Sequence, residues 1–174
     1  APAPASRCAA TRCAPVPARA QRDTSVVVGE HYGAGALHRF IFGRDYRHLW
    51  TTPVSVRVLD LQTVAGGLTP TTVGGGQQTK SIRFRGADGF SYGFRSVDKD
   101  PVVPDEPEGT FVQDIMRDQT SAAHPGAQAV APGLLAAAGV LHSEPELVVI
   151  ADDPALGRCH ARFAGTVGYF ERRA

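Results

Sequence analysis

The chain has 174 residues, of which 43% are hydrophobic and 20% are charged, a composition typical of a globular domain with its own core. Its 18 Lys and Arg residues nearly balance 17 Asp and Glu residues, so the formal net charge is +1. Such a charge gives no strong attraction to nucleic acid, and no apolar run approaches the length of a membrane span. We therefore expect a folded domain with no nucleic-acid partner and no transmembrane segment of its own.

The first 23 residues differ in composition from the rest of the chain. They are rich in Ala, Pro and Arg, which predicts an extended arm over residues 1–23 and a single globular domain over residues 24–174. The opening residues 1–6 alternate Ala with Pro and end in Ser, as a mature terminus does after cleavage at small residues. We therefore expect an exported, periplasmic protein whose arm becomes ordered on a partner.

The predicted elements of the first half are, in chain order, a helix over 31–42, a strand over 54–61, a long loop from residue 66 to the glycine triplet, and a hairpin over 80–97. The helix is expected to end at Gly43, because glycine adopts the left-handed conformation that closes helices. Alternation of Val54, Val56 and Val58 with polar residues predicts a half-buried strand. The turn of the hairpin is expected at residues 86–89.

The glycine triplet Gly74, Gly75 and Gly76 opens the hairpin and is followed by Lys80. Glycines let backbone N–H groups approach an anion closely, and a following lysine could hold it. The spacing resembles a P-loop, but Thr79 replaces the glycine before the lysine, and a strand follows instead of a helix. Two interpretations stay open: a phosphate-binding turn between strands, and a flexible loop that only feeds the hairpin.

The predicted elements of the second half are a helix after Thr110, a helix over 132–138 with Pro132 in its first turn, a buried strand over 147–151 and a last strand over 163–170. Together the two halves predict an α+β fold: a mainly antiparallel sheet that contains the glycine-loop hairpin, with a few helices packed on one side.

Aromatic and basic residues cluster around Gly43. Tyr46 and Trp50 belong either to the core or to a surface that contacts a partner. Together with Arg47 they have the residue types of an interface hot spot. We therefore expect an interface at Tyr46, Arg47 and Trp50 as the alternative to a place in the core.

No complete set of catalytic residues is evident. The six histidines are scattered and lack metal-ligand spacings, so no metal site or cofactor is expected. Asp152 and Asp153 are typical of a turn, and Asp118, Ser121 and His124 suggest acid–base or nucleophile chemistry only by proximity in sequence. Arg83 and Arg85 are expected to be solvated arginines on a strand face. The chain is therefore not expected to be an enzyme.

Several segments resemble a large group of exported bacterial proteins with an atypical kinase-like lobe, often followed by an outer-membrane barrel of the surface-antigen type. The matching segments lie within 43–53, 58–61, 65–70, 74–81, 94–100, 119–125 and 152–157. Longer members carry a Gly-Asp-Trp-Asp-Arg-His segment that looks like a kinase catalytic loop, and this chain contains none. The resemblance thus implies the amino-terminal lobe alone, without the acidic residues of phosphoryl transfer.

Three cysteines, Cys8, Cys13 and Cys159, complete the set of candidate residues. In an exported protein we expect a disulfide from Cys159 to Cys13 or Cys8, and we favour Cys13 because it lies nearer the globular part. Three free thiols are the alternative.

The sequence as a whole predicts a non-catalytic accessory subunit that binds proteins of a membrane complex on its periplasmic side. Three kinds of host stay open: an outer-membrane assembly, a respiratory complex and a photosynthetic complex. The alternative function is a nucleotide- or phosphate-binding module at the glycine triplet, Lys80 and Lys99.

Overall fold

The computed structural model describes residues 22–43, 46–75, 79–99, 115 and 118–173. These residues form a seven-stranded sheet with the strand order β1-β2-β6-β7-β5-β4-β3. The strands are β1 (Asp23–Val26), β2 (Val54–Leu59), β3 (Leu68–Gly74), β4 (Thr79–Gly86), β5 (Ser91–Lys99), β6 (Glu146–Ile150) and β7 (Val167–Arg173). Neighbouring strands are antiparallel except β2 and β6, which are parallel. The predicted α+β fold with a mainly antiparallel sheet is confirmed.

Short helices cover both faces of this sheet, and not one side only as the sequence predicted, because each face carries its own group of buried apolar side chains. The α-helices are α1 (Ala36–Phe42), α2 (His48–Thr51), α3 (Ala127–Ala137) and α4 (His160–Phe163), and 3₁₀ helices occupy Glu30–Gly33, Val64–Gly66 and Pro154–Cys159. Helix α1 ends at Gly43, whose φ of 89° is in the left-handed region and whose N–H donates to the Arg39 carbonyl. The predicted helix end is therefore confirmed, because glycine adopts this conformation without steric cost.

The first core lies on one face of the sheet. Alternate residues of the central strands point to this face, as the period of two requires. The 3₁₀ helices over 64–66 and 154–159, together with α4, cover it. Its buried side chains are Leu59, Leu61, Leu68, Ile82, Phe84, Phe94, Val148, Ile150, Leu156, Cys159, Phe163 and Phe170.

The second core lies on the opposite face, over β1, β2, β6 and parts of β5 and β7. The first 3₁₀ helix and α2 cover it. Its buried side chains are Val28, Tyr32, Trp50, Val97 and Tyr169. The remaining part of this face, over β4, β5 and β7, carries polar side chains and stays open to solvent. The sheet thus has one fully covered face and one that is only half covered.

A buried ion pair joins the two halves of the chain beside the second core. Arg47 Nη1 donates to Asp118 Oδ1 at 2.5 Å and Nη2 donates to Oδ2 at 2.7 Å. The two side chains are only 3% and 11% exposed. Arg47 also donates to the carbonyls of Gly43 and Tyr32, at 2.9 and 3.0 Å. This network holds α1 and α2 against the segment that begins at residue 118.

Four expectations about elements need correction. The single helix expected over 31–42 is a 3₁₀ helix over Glu30–Gly33 followed by α1, which begins only at Ala36. Residues 68–74 are strand β3, not a loop. Pro70 is tolerated there because β3 is an edge strand, with a register shift between Pro70 and Thr72. Helix α3 begins five residues before Pro132, so that proline lies inside the helix. Strand β7 begins at Val167, after helix α4, and not at residue 163.

The hairpin and the buried strand β6 agree with the sequence predictions. In the turn over 86–89, Gly86 N–H donates to the Phe90 carbonyl and Asp88 Oδ1 accepts from Phe90 N–H. The predicted arm lies outside the described residues except at Arg22 and Asp23. The helix expected after Thr110 is described only at residue 115 and over 118–120, which are helical.

Candidate functional site

Two of the three residues expected at a protein interface belong to the core. Trp50 is 1% exposed, and its Nε1–H lies 3.0 Å from the Ser121 carbonyl and 3.1 Å from that of Ala123. Arg47 is 2% exposed and holds Asp118. Tyr46 is half-buried and donates to the Phe42 carbonyl at 2.8 Å. The core interpretation therefore applies to Arg47 and Trp50, because a partner cannot reach side chains that are already buried and hydrogen-bonded.

Helix α1, which precedes this cluster, presents apolar side chains to solvent. Leu37, Phe40 and Ile41 are spaced i, i+3 and i+4, so they share one face of the helix. Their exposed fractions are 73%, 87% and 62%, and none of the residues of α1 is buried. An apolar stripe with this spacing normally faces a core. Here it faces outward.

The side of α1 next to the core is fixed by polar contacts instead of by apolar packing. His38 Nε2 lies 3.1 Å from Asp118 Oδ2, although the contact lacks hydrogen-bond alignment. The His38 ring also contacts Phe42, with ring centroids 4.7 Å apart. These contacts leave the Leu37, Phe40 and Ile41 face free of described neighbours that would bury it.

Helix α3 is the second element with an exposed apolar surface. No Asp, Glu, Lys or Arg occurs between Ala127 and Leu141, and no residue of α3 is buried. Val130 is 60% exposed, Leu134 is 69% exposed, and Leu141 beyond the helix is fully exposed. A surface helix without charged side chains lacks the solvated face that a free helix normally has.

Helix α3 is anchored to the sheet at its first turn by Tyr169. The Tyr169 hydroxyl donates to the Pro125 carbonyl at 2.7 Å. Burial raises the pKa of Tyr169, while hydrogen bonds from the backbone N–H groups of Ala129 and Gln128 oppose the rise. The hydroxyl therefore stays protonated at neutral pH and remains a donor. The anchor fixes the start of α3, and the rest of the helix extends over the surface.

Sequence reasoning missed both exposed apolar surfaces. The sequence predicts helices over 31–42 and 132–138, but it does not indicate that either helix exposes apolar side chains to solvent. A signal was available for α3: fifteen consecutive residues, 127–141, without a charged side chain. No comparable signal existed for α1, because its apolar spacing is the same for a helix that faces the core and for one that faces outward.

The glycines expected to bind phosphate lie between two antiparallel strands, as the turn interpretation required. Gly74 ends β3 and β4 begins at Thr79. Gly75 has a φ of 135°, and a Cβ there would lie 2.4 Å from the Thr79 carbonyl oxygen. Glycine is therefore the residue type that this turn admits. Gly76 lies outside the described residues.

The two lysines do not meet at these glycines. Gly74 and Gly75 line an open groove of about 570 Å³ on the half-covered face of the sheet. Lys99 lines an adjoining groove of about 550 Å³ that also contacts Trp50 and His124. Lys80 is exposed and lines neither groove. The structure therefore separates the glycines from Lys80, which the sequence grouped with them.

The other candidate residues take structural roles. Ser121 is fully buried, and its hydroxyl donates to the Asp118 carbonyl at 2.6 Å, so it is not an accessible nucleophile. Asp118 is paired with Arg47 and lies next to His38, not next to His124 as its place in the sequence suggested. Asp153 accepts from Ala155 N–H and caps the 3₁₀ helix over 154–159. Among the described residues, no three His, Cys, Asp or Glu side chains lie close enough to hold a metal ion.

Cys159 is 7% exposed and has no disulfide partner among the described residues. Its expected partner, Cys13, and the alternative Cys8 lie outside them. The bond between Cys13 and Cys159 therefore stays a prediction.

Comparison with protein-family models found no match, and neither did comparisons with curated proteins and with solved structures. Within the described part of the chain, no helix combines the length and the apolar character needed to cross a bilayer. Any inference about function therefore rests on the surfaces and contacts of this structure.

Proposed function

We propose that this protein is a non-catalytic, exported accessory subunit that binds proteins of a membrane complex on its periplasmic side. The observation that supports it best is the pair of helices, α1 and α3, that expose apolar side chains and bury none. Exposed apolar surface of this kind marks contact with another protein, because burial of each such side chain gains about 1.5–3 kcal/mol.

The two helices fit a single docking side. His38 on α1 lies 3.1 Å from Asp118, and the Asp118 partner Arg47 donates to the carbonyl of Tyr32 in the second core. On α3, Gln128 lines both grooves of the half-covered sheet face. Both helices therefore lie on the same side of the sheet. The opposite face of the sheet is already covered by the elements of the first core. A partner that covered α1 and α3 would complete the burial that this side of the sheet lacks.

The composition of the arm over 1–23 also supports the proposal. An arm rich in Ala and Pro has no apolar surface with which to build a core, and it orders on contact with a partner. The host complex is one of the three kinds named above.

Replacing Phe40 with Ser should detach the protein from its partner without destabilising its own fold. Because Phe40 is 87% exposed, we expect the free energy of unfolding to change by no more than about 0.5 kcal/mol. The measurement is native electrophoresis of detergent-solubilised membranes. The wild-type protein should migrate in a large complex, and the F40S variant should migrate alone.

Phe90→Ser is the matched control, because Phe90 is also exposed, at 48%, but lies in the hairpin turn under Arg172. That variant should remain in the complex. A wild-type protein that always leaves the membranes as a free monomer would contradict the proposal. So would an F40S variant that unfolds, since it would show that α1 packs within the chain itself.

A further inference from the structure

Three arginine side chains on the half-covered sheet face form no ion pair within the described part of the chain. Arg83 on β4, Arg95 on β5 and Arg173 on β7 are all exposed. None of their side chains forms a hydrogen bond or ion pair with a described residue, whereas the side chains of Arg47 and Arg57 are each paired with a carboxylate. All three line the groove of about 570 Å³ that begins at Gly74 and Gly75. We call this the arginine groove.

The strand register brings these arginines together although they are far apart in sequence. Arg95 lies opposite Ser81 on β4, two residues from Arg83, so Arg83 and Arg95 are diagonal neighbours on adjacent strands. Diagonal neighbours on one sheet face are separated by about 7–8 Å, within reach of two long side chains. The two guanidinium groups can therefore converge on one ligand.

Gly93 makes room for the third arginine. Gly93 lies between Arg83 and Glu171 in the same row across the sheet. A Cβ at Gly93 would lie only 3.1 Å from Arg173 Cδ. The Arg173 side chain therefore crosses over the bare backbone of Gly93 toward the middle of the groove. A larger residue at this position would push it away.

The rest of the groove wall also favours an anion. Its only carboxylate among the lining residues is Glu171, so three arginines against one glutamate leave a local charge of +2. The hydroxyls of Thr72, Thr79 and Ser81 line it as well. Helix α3 begins beside the groove at Ala127, with no acidic residue in its first turn and no side-chain cap. The positive end of the helix dipole adds to the field of the arginines.

We propose that the arginine groove binds a small molecule that carries two linked phosphate groups, one held by Arg83 and Arg95 and the other by Arg173. Guanidinium groups bind phosphate oxygens through paired hydrogen bonds, which a single lysine cannot do. The groove is larger than one phosphate needs and lies in the range of small-molecule sites. This site lies beside helix α3, whose residue Gln128 lines the groove, and it does not include Lys80.

The test is isothermal titration calorimetry with pyrophosphate in magnesium-free buffer at low ionic strength. The wild-type protein should bind pyrophosphate, and inorganic phosphate at least tenfold more weakly, since it reaches only part of the arginine set. Arg83→Ala and Arg95→Ala should each weaken pyrophosphate binding by about tenfold or more. Thermal unfolding should be almost unchanged in both variants, because the side chains are exposed.

Arg85→Ala is the matched control. It removes the same charge from the same strand, but Arg85 donates to the Gly89 carbonyl and does not line the groove. It should leave pyrophosphate binding within about twofold of the wild type. Absence of heat at millimolar pyrophosphate would overturn the proposal. An equal loss of pyrophosphate binding in R83A and R85A would also overturn it, because it would indicate nonspecific charge attraction. A loss of binding only in a Lys80→Ala variant would overturn it as well, because it would indicate a site at the glycine turn.

Discussion

Replacing Asp118 with Ala should lower the free energy of unfolding by about 3–5 kcal/mol, the cost typical of breaking a buried ion pair. The substitution leaves the Arg47 guanidinium without its carboxylate while its side chain stays 3% exposed. Two further Arg47 hydrogen bonds, to the Gly43 and Tyr32 carbonyls, keep it in place, so it cannot escape to solvent. Urea denaturation at neutral pH measures the loss.

The matched control is Glu146→Ala, which breaks the pair between Arg57 and Glu146. Those side chains are 15% and 50% exposed, and pairs open to solvent contribute no more than about 1 kcal/mol. An equal loss in the free energy of unfolding in D118A and E146A would contradict the prediction. It would mean that burial does not make the Arg47 pair more important for stability than the exposed pair.

The pair between Arg47 and Asp118 also makes the stability of the fold depend on pH. Burial alone would raise the pKa of Asp118, but the hydrogen bonds from Arg47, together with the nearby His38 ring, lower it from its ordinary value of 3.8. A carboxyl whose pKa is lower in the folded state stabilises the fold above its ordinary pKa, and this contribution is lost as the pH falls through the folded value. The stability difference between the wild type and D118A should therefore shrink below pH 3.8.

Replacing Gly168 with Ala should cause the second large loss, lowering the free energy of unfolding by about 3 kcal/mol or more, because there is no space for a methyl group in the centre of the sheet. Gly168 on β7 lies between Ser96 on β5 and Val148 on β6. A Cβ there would lie 2.3 Å from Phe94 Cζ and 2.4 Å from the Arg95 carbonyl oxygen. The backbone oxygen cannot move without breaking the strand pairing. Urea denaturation again measures the effect.

Gly133→Ala is the control for this substitution. Gly133 lies within helix α3, and a Cβ there meets nothing within 4 Å. Alanine should stabilise the protein by about 0.5–1 kcal/mol, since glycine inside a helix loses more backbone freedom on folding. A Gly168→Ala protein as stable as the wild type would show that β5 and β7 are not packed as closely as described.

The elements that the sequence predicted correctly are those that depend only on residues close together in the chain. The end of α1 at Gly43 follows from one residue type, and the strand of Val54, Val56 and Val58 follows from a period of two. The turn over 86–89 likewise follows from its own residues. The same local reasoning failed for residues 68–74, which are a strand because they pair with β4, despite a proline that is acceptable only at a sheet edge.

Features that join distant parts of the chain were decided by the tertiary structure. Arg47 and Asp118 are 71 residues apart, and neither residue's neighbours indicate that the two form a buried pair. The sequence marked Arg83 as a solvated strand residue, and only the strand order, with β7 beside β5, brings Arg173 to the same groove. Periodicity tells which residues share a face of one element. It does not tell which strand lies next to it, nor whether an apolar helix face such as that of α1 turns toward the core or away from it, because those depend on contacts between residues far apart in the chain.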